Sequence, residues 1–213
     1  MTSTLVAPPI IPIIDAGSLF LLKGNHVYLE LLAEQHREWL RPLARDERIW
    51  EYTKTLLINA EFDRQFDRYF NEALSFTDIG AQAFVIRAVK DNRVLGMTRM
   101  YAIEWKDKRL EIGHTWYIPD VWGKIHNKEC KLLILQYVLE TLQFNRVEFR
   151  VAHQNIRSQK AVTRIGGIKE GVLRRHAVRN DGSRRDTVVF SIIIDEWPEK
   201  KEHLLRLVAE ARQ

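Results

Sequence analysis

The sequence is poor in the residues that build disulfide-rich, collagen-like or disordered chains. Cys130 is the single cysteine among 213 residues, which excludes an internal disulfide and fits a reducing compartment. Ten glycines and six prolines are too few for a low-complexity chain, and no internal repeat is visible. What remains is a globular protein of one large domain, and a hydrophobic content of 46% is enough to bury a core.

The chain also lacks an uninterrupted apolar run of the length that spans a bilayer. Its most apolar stretch, "LVAPPIIPIIDAGSLFLL", contains three prolines, and no basic residue precedes it as in a signal peptide. We predict an extended N-terminal arm over residues 1–17 and a single domain over residues 18–213. We expect a soluble, cytoplasmic protein without a membrane partner and without a metal site.

Neither sign of charge dominates the chain. The 33 Lys and Arg residues exceed the 28 Asp and Glu residues by five, and the pI is about 9.3. A basic balance favours an anionic partner, so nucleic acid and a phosphorylated cofactor both remain open. The basic residues are scattered, often beside acidic ones, whereas a nucleic-acid footprint is usually clustered, and we expect no DNA partner.

Hydrophobic periodicity predicts an α+β protein with elements in the order β-β-α-α-β-β-β-α-β-α-β-β-α. The helix "NAEFDRQFDRYFNEALSF" places four apolar side chains on one core-facing side: Phe62, Phe66, Phe70 and Leu74. A second helix follows Asn127 as N-cap, with leucines on more than one side, and a third runs from the N-cap Asn155 to Gly166. A hairpin is predicted around residues 180–183, and a final helix near Trp197.

The central segments form a β-loop-α-β-α unit. A parallel crossover brings the strands that end at Ile118 and Ala152 side by side, so that both following helices begin at the same edge of the sheet. Unpaired N–H groups and the helix dipole favour an anion at such a helix N-terminus. The unit can therefore bind a phosphate at its first helix and place a polar cap at its second.

The order and spacing of several motifs resemble the GNAT N-acetyltransferase superfamily, in particular its Rim-type branch, whose founding members acetylate the N-termini of ribosomal proteins. The resemblance covers roughly residues 18–197, including "EIGHTWYIPDVWGKIHNKECKLLILQYVLETL", "RVEFRVAHQNIRSQKAV" and "DGSRRDTVVFSI". It implies a mostly antiparallel sheet with a central splayed parallel strand pair and flanking helices. It also implies acetyl-CoA between the splayed strands.

The resemblance further implies which residues contact acetyl-CoA. Backbone groups of Trp116, Tyr117 and Ile118 would pair with pantetheine, and the loop from residue 121 to 127 would hold the pyrophosphate through Trp122, Gly123, Lys124, Ile125, His126 and Asn127. Three of these depart from the family pattern, and Ile125 does so most seriously, because a β-branched residue replaces glycine and resists positive φ. The loop then binds through its remaining residues, or CoA affinity falls below the family norm.

The same resemblance implies roles for Asn155 and Ser158, which lie three residues apart on one helical face. In similar enzymes the Asn holds pantetheine and the Ser protonates the departing thiolate. The alternative is that Asn155 only caps the helix and that Ser158 is exposed in the first turn.

Glu111 is the first choice as the base that removes the amine proton. Strand alternation places it on one face with Gly113, Thr115 and Tyr117, and places His114 opposite as a packing residue. The alternative for Glu111 is an edge carboxylate paired with an arginine. Cys130 is expected in the first turn of its helix, where a thiolate is favoured, although direct transfer is the family habit.

Two further segments are candidates for the acceptor site. The hairpin brings Arg174, His176, Arg184 and Asp186 together, either as cross-strand ion pairs or as a flap that selects an acidic or peptide substrate. The segment "RIWEYT" and Tyr101 offer aromatic rings to the same pocket, although most aromatic residues are core.

The leading hypothesis is an acetyl-CoA-dependent N-acetyltransferase that transfers an acetyl group directly to a primary amine, either a ribosomal-protein or peptide N-terminus or a small-molecule amine. The alternative is a catalytically weakened protein of the same fold that docks on RNA or the ribosome. The acceptor and the oligomeric state stay open at this point, a homodimer included.

Overall fold

An eight-stranded mixed sheet is the centre of the computed structural model, which describes residues 21–55, 57–75, 81–179 and 181–210. The predicted N-terminal arm lies outside these residues. The strands are β1 (Leu21–Lys23), β2 (Val27–Leu31), β3 (Gln82–Ala88), β4 (Val94–Glu104), β5 (Arg109–Tyr117), β6 (Arg146–Ala152), β7 (Ile168–Val178) and β8 (Arg184–Ile193). The principal helices are α1 (Arg37–Leu43), α2 (Phe62–Ser75), α3 (Ile125–Gln136), α4 (Ile156–Arg164) and α5 (Trp197–Glu210). This order confirms the predicted α+β succession.

The sheet is antiparallel except at its centre. Its strand order is β1-β2-β3-β4-β5-β6-β8-β7, and β5 and β6 form the one parallel pair among the described strands. Their pairing runs from Arg109↔Arg146 to Glu111↔Glu148 and stops, although β5 continues to Tyr117 and β6 to Ala152. The two strands therefore diverge towards their carboxyl ends and open a gap, which we call the β5–β6 cleft. This confirms the splayed parallel pair.

Two apolar cores cover the two faces of the sheet. On one face, α3, α4 and α5 pack over the central strands, and residues 129–136 of α3 are all buried. On the other face, α1 and α2 cover β3 and β4 through a core that includes Trp50 and Trp116. The predicted stripe on α2 is confirmed, since Phe62, Phe66 and Phe70 are buried and Leu74 packs at the edge of this core.

Arginines fix α1 and the segment after it against α2. Three guanidinium groups lie over three aromatic rings of α2 at 4.3–4.9 Å from the ring centroids, in the pairs Arg37–Phe70, Arg41–Phe66 and Arg45–Phe62. Asp67 also accepts hydrogen bonds from two of these arginines. Cation–π contacts and shared carboxylates position α1, and with it the following segment, 46–55, which reaches the cleft.

The starts of α3 and α4 differ in how they are capped. Asn127 was predicted as the N-cap of α3, but this is wrong. The helix begins at Ile125, and the extended residue before it is Lys124. The Lys124 side chain makes no capping hydrogen bond, so the first backbone N–H groups of α3 have no side-chain cap. At α4 the prediction is confirmed: Asn155 Oδ1 accepts from the Ser158 amide at 3.0 Å.

The end of α4 also agrees with the sequence, since Gly166 takes a φ of +96° just beyond it. After α3 the helix continues as a π-helical turn over Tyr137–Thr141.

No helix in the described part of the chain combines the length and the apolar character needed to cross a membrane.

Candidate active site

A cavity of about 450 Å³ fills the β5–β6 cleft and extends over the adjoining face of the sheet. Its walls come from β5, β6, the first turns of α3 and α4, the segment from Ile49 to Thr55, and the β7–β8 hairpin. Eight residues predicted for the site line it: Glu111, Trp116, Tyr117, Trp122, Gly123, Asn127, Asn155 and Ser158. Ile118, Lys124, Ile125 and His126 lie beside the cavity without lining it.

The loop before α3 is shaped by one glycine. Gly123 has a φ of +75°, and a Cβ placed there would meet no heavy atom within 4 Å, so backbone conformation and not space requires the glycine. The preceding Trp122 is anchored, because its indole N–H donates to the carbonyl oxygen of Tyr117 at 2.8 Å. The loop thus presents an exposed glycine next to the uncapped N-terminus of α3, which suits an anion.

The conflict expected at Ile125 does not arise in the backbone. The left-handed conformation of the loop falls at Gly123, and Ile125 is the first helical residue of α3. Its side chain is half-buried and packs against the core beneath α3. His126 follows it and is half-buried. Its ring Nδ1 has no hydrogen-bond partner among the described residues, and burial lowers the pKa of this histidine.

Arg157 is a site residue that the sequence reasoning missed. Its guanidinium carbon lies 3.6 Å from the centroid of the Trp122 ring, which joins the first turn of α4 to the loop before α3. This pair stands where both helix N-termini open on the cleft and adds a positive charge there. The signal available in sequence was its place one residue before Ser158 in the first turn of the capped helix.

A bulge in β5 overturns the predicted facing of its residues. His114 has a φ of +48°, and the register with β4 shifts between Met97 and Arg99 at this point. As a result His114 shares a face with Glu111, and both contact Tyr101, whose ring centroid is 5.1 Å from that of His114. Thr115 turns to the other face, where its hydroxyl accepts from Lys131 Nζ at 2.9 Å. Alternation fails because one extra residue in a strand reverses every later side chain.

Glu111 is buried at the start of the gap. The Tyr101 hydroxyl donates to its Oε1, and Arg150 Nε lies 3.4 Å from its Oε2. Burial raises the pKa of Glu111, and the Tyr101 hydrogen bond and the Arg150 charge partly offset this rise. The arginine pairing anticipated as an alternative is therefore present, and it coexists with a carboxylate whose basicity is increased.

The neighbouring titratable groups are poor proton acceptors or stay neutral. Burial and nearby cations lower the pKa of His114 to about 3, and burial raises the pKa of Tyr101. Lys131 is buried in the wall of the cleft, where its ammonium donates to the hydroxyls of Thr98 and Thr115, and burial lowers its pKa. Cys130 lies in the second turn of α3, not the first, and burial raises the pKa of its thiol, which removes the basis for a nucleophile.

The β7–β8 hairpin closes over the segment from Ile49 to Thr55. Arg179 donates to the carbonyl oxygens of Thr53 and Glu51, and Arg185 donates to that of Tyr52 at 3.1 Å. In the described residues, no ion pair joins Asp186 to Arg174 or Arg184; instead Asp186 accepts from the Arg175 amide at 2.6 Å. His176 pairs with the Thr187 hydroxyl at 3.2 Å and lines the cavity. Tyr101 and the segment around Trp50 also line it, as the sequence suggested.

Diverging parallel strands, two helix N-termini and a buried carboxylate on one cavity define a site for an extended ligand with an anionic end. The chain belongs to the acetyltransferase (GNAT) domain family, whose model matches residues 26–168. It is 32% identical over 112 residues to a Bacillus subtilis protein named "Putative ribosomal N-acetyltransferase YdaF", which confirms the resemblance to the Rim-type branch. That match covers 52% of the chain and 60% of the relative, and the chain spans 55–65% of the length of the curated relatives it matches.

Solved structures share the fold over most of their length. A "putative acetyltransferase" from T. thermophilus is 32% identical, with a TM-score of 0.78 over 90% of this chain and 96% of the other. Mycobacterium smegmatis RimJ in complex with CoA-disulfide is 20% identical, with a TM-score of 0.72 over 91% and 93% of the two chains. The second likeness concerns the fold alone.

Proposed function

We propose that the protein is an acetyl-CoA-dependent N-acetyltransferase that acts on a primary amine by direct transfer. The observation that carries this proposal is the β5–β6 cleft, which joins a helix N-terminus without a side-chain cap to a buried carboxylate of raised pKa. Membership of the acetyltransferase family and the CoA-disulfide bound by a protein of the same fold support it. A protein N-terminus, such as that of a ribosomal protein, is an acceptor suggested by the name of the Bacillus subtilis relative.

The residues at the α3 end of the cleft fit the pyrophosphate of CoA. The exposed Gly123, the uncapped N–H groups of the α3 first turn and the Lys124 side chain offer donors and positive charge to it. Arg157, held on Trp122, adds a second cation at the same mouth. The free edge of β5 beyond Glu111 offers backbone groups to pantetheine, and Asn155 offers its side-chain amide.

Glu111 supplies the base in this proposal. A carboxylate with a raised pKa is a better proton acceptor than an ordinary one, and Tyr101 holds its Oε1 in place by donating a hydrogen bond. The acceptor amine passes its proton to Glu111 and forms a bond to the carbonyl carbon of acetyl-CoA, after which the bond to sulfur breaks. Ser158, in the wall of the cleft, gives its hydroxyl proton to the departing thiolate and regains a proton from water, while Glu111 releases the amine proton to water.

The proposal is tested in two measurements on the purified chain. Calorimetry with acetyl-CoA should show saturable binding, and incubation with amines and peptides should add an acetyl mass to at least one acceptor. Glu111→Gln should lower kcat by about 10²–10⁴-fold with little change in CoA affinity, because it removes proton transfer and keeps the shape of the side chain. Glu104→Gln is the control, because Glu104 is exposed at the end of β4 and does not line the cavity.

Binding of acetyl-CoA without transfer to any acceptor would reject the enzyme and favour the binding-module alternative. Docking of such a module on RNA should weaken steeply with salt, so affinity for RNA that does not change with salt would reject that alternative as well.

A further inference from the structure

The walls of the cleft are positively charged beyond what CoA requires. Of the described residues that line it, Glu111 is the one carboxylic acid, against five basic side chains: Lys54, Lys131, Arg150, Arg157 and Arg185. Arg157 stands on Trp122 at the α3 end, where the phosphates of CoA are proposed to bind. Lys131 is engaged by two threonine hydroxyls beneath β5. The other three lie near Glu111.

These three cations form a group with three neighbours on the face of the sheet that carries α2. We call Lys54, Tyr101, Glu111, Arg150, His176 and Arg185 the acceptor subsite. Its members are close enough to shift one another's pKa values. Burial is the main cause of the lowered pKa of His176, and the charges of Arg150, Lys54 and Arg185 lower it further. The charge of Arg150 also acts to lower the pKa values of Glu111 and Tyr101.

The charges within the acceptor subsite are not balanced. Arg150 is satisfied, because its guanidinium lies 3.4 Å from Glu111 and 3.2 Å from Glu148. Arg185 donates one N–H to the Tyr52 carbonyl. Among the described residues, its buried Nε has no hydrogen-bond partner and no carboxylate pairs with it. Lys54 is exposed at the rim and likewise forms no ion pair with a described residue. A buried, unpartnered donor on a cation costs free energy until a ligand satisfies it.

We propose that the acceptor amine carries a carboxylate within about one residue of its nitrogen, and that Arg185 and Lys54 bind this carboxylate while the amine faces Glu111. The inference rests on the proposed transferase function and specifies its substrate class. Free acidic amines and peptides with Asp or Glu next to the N-terminus share this chemistry. Arg185 acts here in binding, through the carboxylate, and Glu111 remains the base.

The test compares three peptides that differ at the second residue, with Ser-Asp, Ser-Asn and Ser-Lys N-termini, and includes free aspartate and glutamate. The purified protein acetylates each with acetyl-CoA, and mass spectrometry gives kcat/KM. We expect the Asp peptide to exceed the Asn peptide by about tenfold, as for one charge-assisted hydrogen-bonded pair, and the Lys peptide to be slowest. If free aspartate and glutamate are acetylated as fast as the Asp peptide, small acidic amines are substrates of the enzyme. If they are acetylated much more slowly, its substrates are peptides.

Two variants and one control locate the effect. Arg185→Gln should bring the Asp/Asn ratio close to one, mainly through KM, and Lys54→Gln, on an exposed side chain that cannot disturb the fold, should lower it in part. Arg184→Gln is the matched control, because it removes a neighbouring arginine that is exposed and does not line the cleft. It should leave the ratio unchanged.

Equal rates for the Asp, Asn and Lys peptides in the wild-type protein would overturn the inference and leave the transferase function standing. An Asp/Asn ratio that survives both Arg185→Gln and Lys54→Gln would also overturn it. Failure to acetylate any acceptor would reject the transferase function together with the inference.

Discussion

Replacement of Ile125 by glycine separates what the sequence suggests from what the structure shows. The sequence leaves two outcomes open: glycine at this position tightens CoA binding if Ile125 weakens the phosphate cradle, or it changes nothing if Gly123, Lys124 and His126 already suffice. In the structure Ile125 is already helical, its side chain packs on the core, and the positive φ of the loop belongs to Gly123. Ile125→Gly should therefore leave CoA affinity within about twofold and should destabilise the fold.

The loss of stability follows from burial and helix propensity. Complete burial of an isoleucine side chain contributes about 1.5–3 kcal/mol, so a half-buried one contributes about 1 kcal/mol. Glycine in a helix costs about a further 0.5 kcal/mol relative to isoleucine. The sum of about 1.5 kcal/mol corresponds to a fall in Tm of about 3–6 °C for a domain of this size.

Calorimetry with CoA and thermal unfolding without it measure the two effects separately. Ile125→Ala is the control, since it removes most of the same side chain and keeps a good helix former. Gly123→Ala is the contrasting variant, because a Cβ at a φ of +75° strains the loop and should weaken CoA binding. A tenfold gain in CoA affinity for Ile125→Gly with no loss of stability would refute the reasoning.

Three further changes test individual groups. Tyr101→Phe removes the hydrogen bond that lowers the pKa of Glu111, so the pKa should rise further and the acidic limb of the kcat–pH profile should move to higher pH; an unmoved limb would exclude Glu111 as its origin. Lys131→Met should raise the free energy of unfolding at pH 7 by about 1 kcal/mol or more, since it removes a buried cation that has no carboxylate partner among the described residues. Because burial lowers the pKa of Lys131 from 10.5, the buried ammonium destabilises the fold most at low pH. The gain in stability of the Lys131→Met variant should therefore shrink as the pH rises towards 10.5, and a gain that does not change with pH would contradict this account. Glu129→Gln should cost about 2–4 kcal/mol in urea unfolding, because the buried carboxylate accepts from the amides of Asn25, His26 and Val27 at 2.6–2.9 Å and an amide cannot accept all three; the exposed Glu202→Gln is its control.

The sequence predicted the secondary structure well wherever one short-range rule decides it. The thirteen elements follow the predicted order, and Asn155 caps α4 because an Asn side chain reaches an amide three residues on. The stripe of phenylalanines on α2 is buried because residues four apart share a helix face. The start of α3 was placed wrongly, since Asn127 is a good capping residue by type but the chain turns into the helix at Lys124.

The candidate site was predicted less completely, because its geometry depends on a strand bulge and on residues that are distant in the chain. Alternation along β5 is a local rule, and a bulge at His114 breaks it. The local signal is Gly113, directly before His114, since a glycine within a strand can mark a bulge but does not show which residue takes the positive φ. Arg150, Arg185 and Lys54 could not be recognised as a group, because they lie on a strand, a hairpin and a connecting segment that are far apart in the chain. Their common charge becomes visible only when the sheet brings them together.

The sequence by itself determined the class of fold, the family resemblance and the N-terminus of α4, because these depend on periodicity and on neighbours within one turn or strand. Only the tertiary structure decided that Gly123, and not the position of Ile125, carries the left-handed turn of the loop. The three-dimensional packing also decided that His114 shares a face with Glu111 and that Arg185, which has no carboxylate partner among the described residues, lines the same cavity. Hydrogen bonds and burial between distant segments set these features, and no local pattern encodes them.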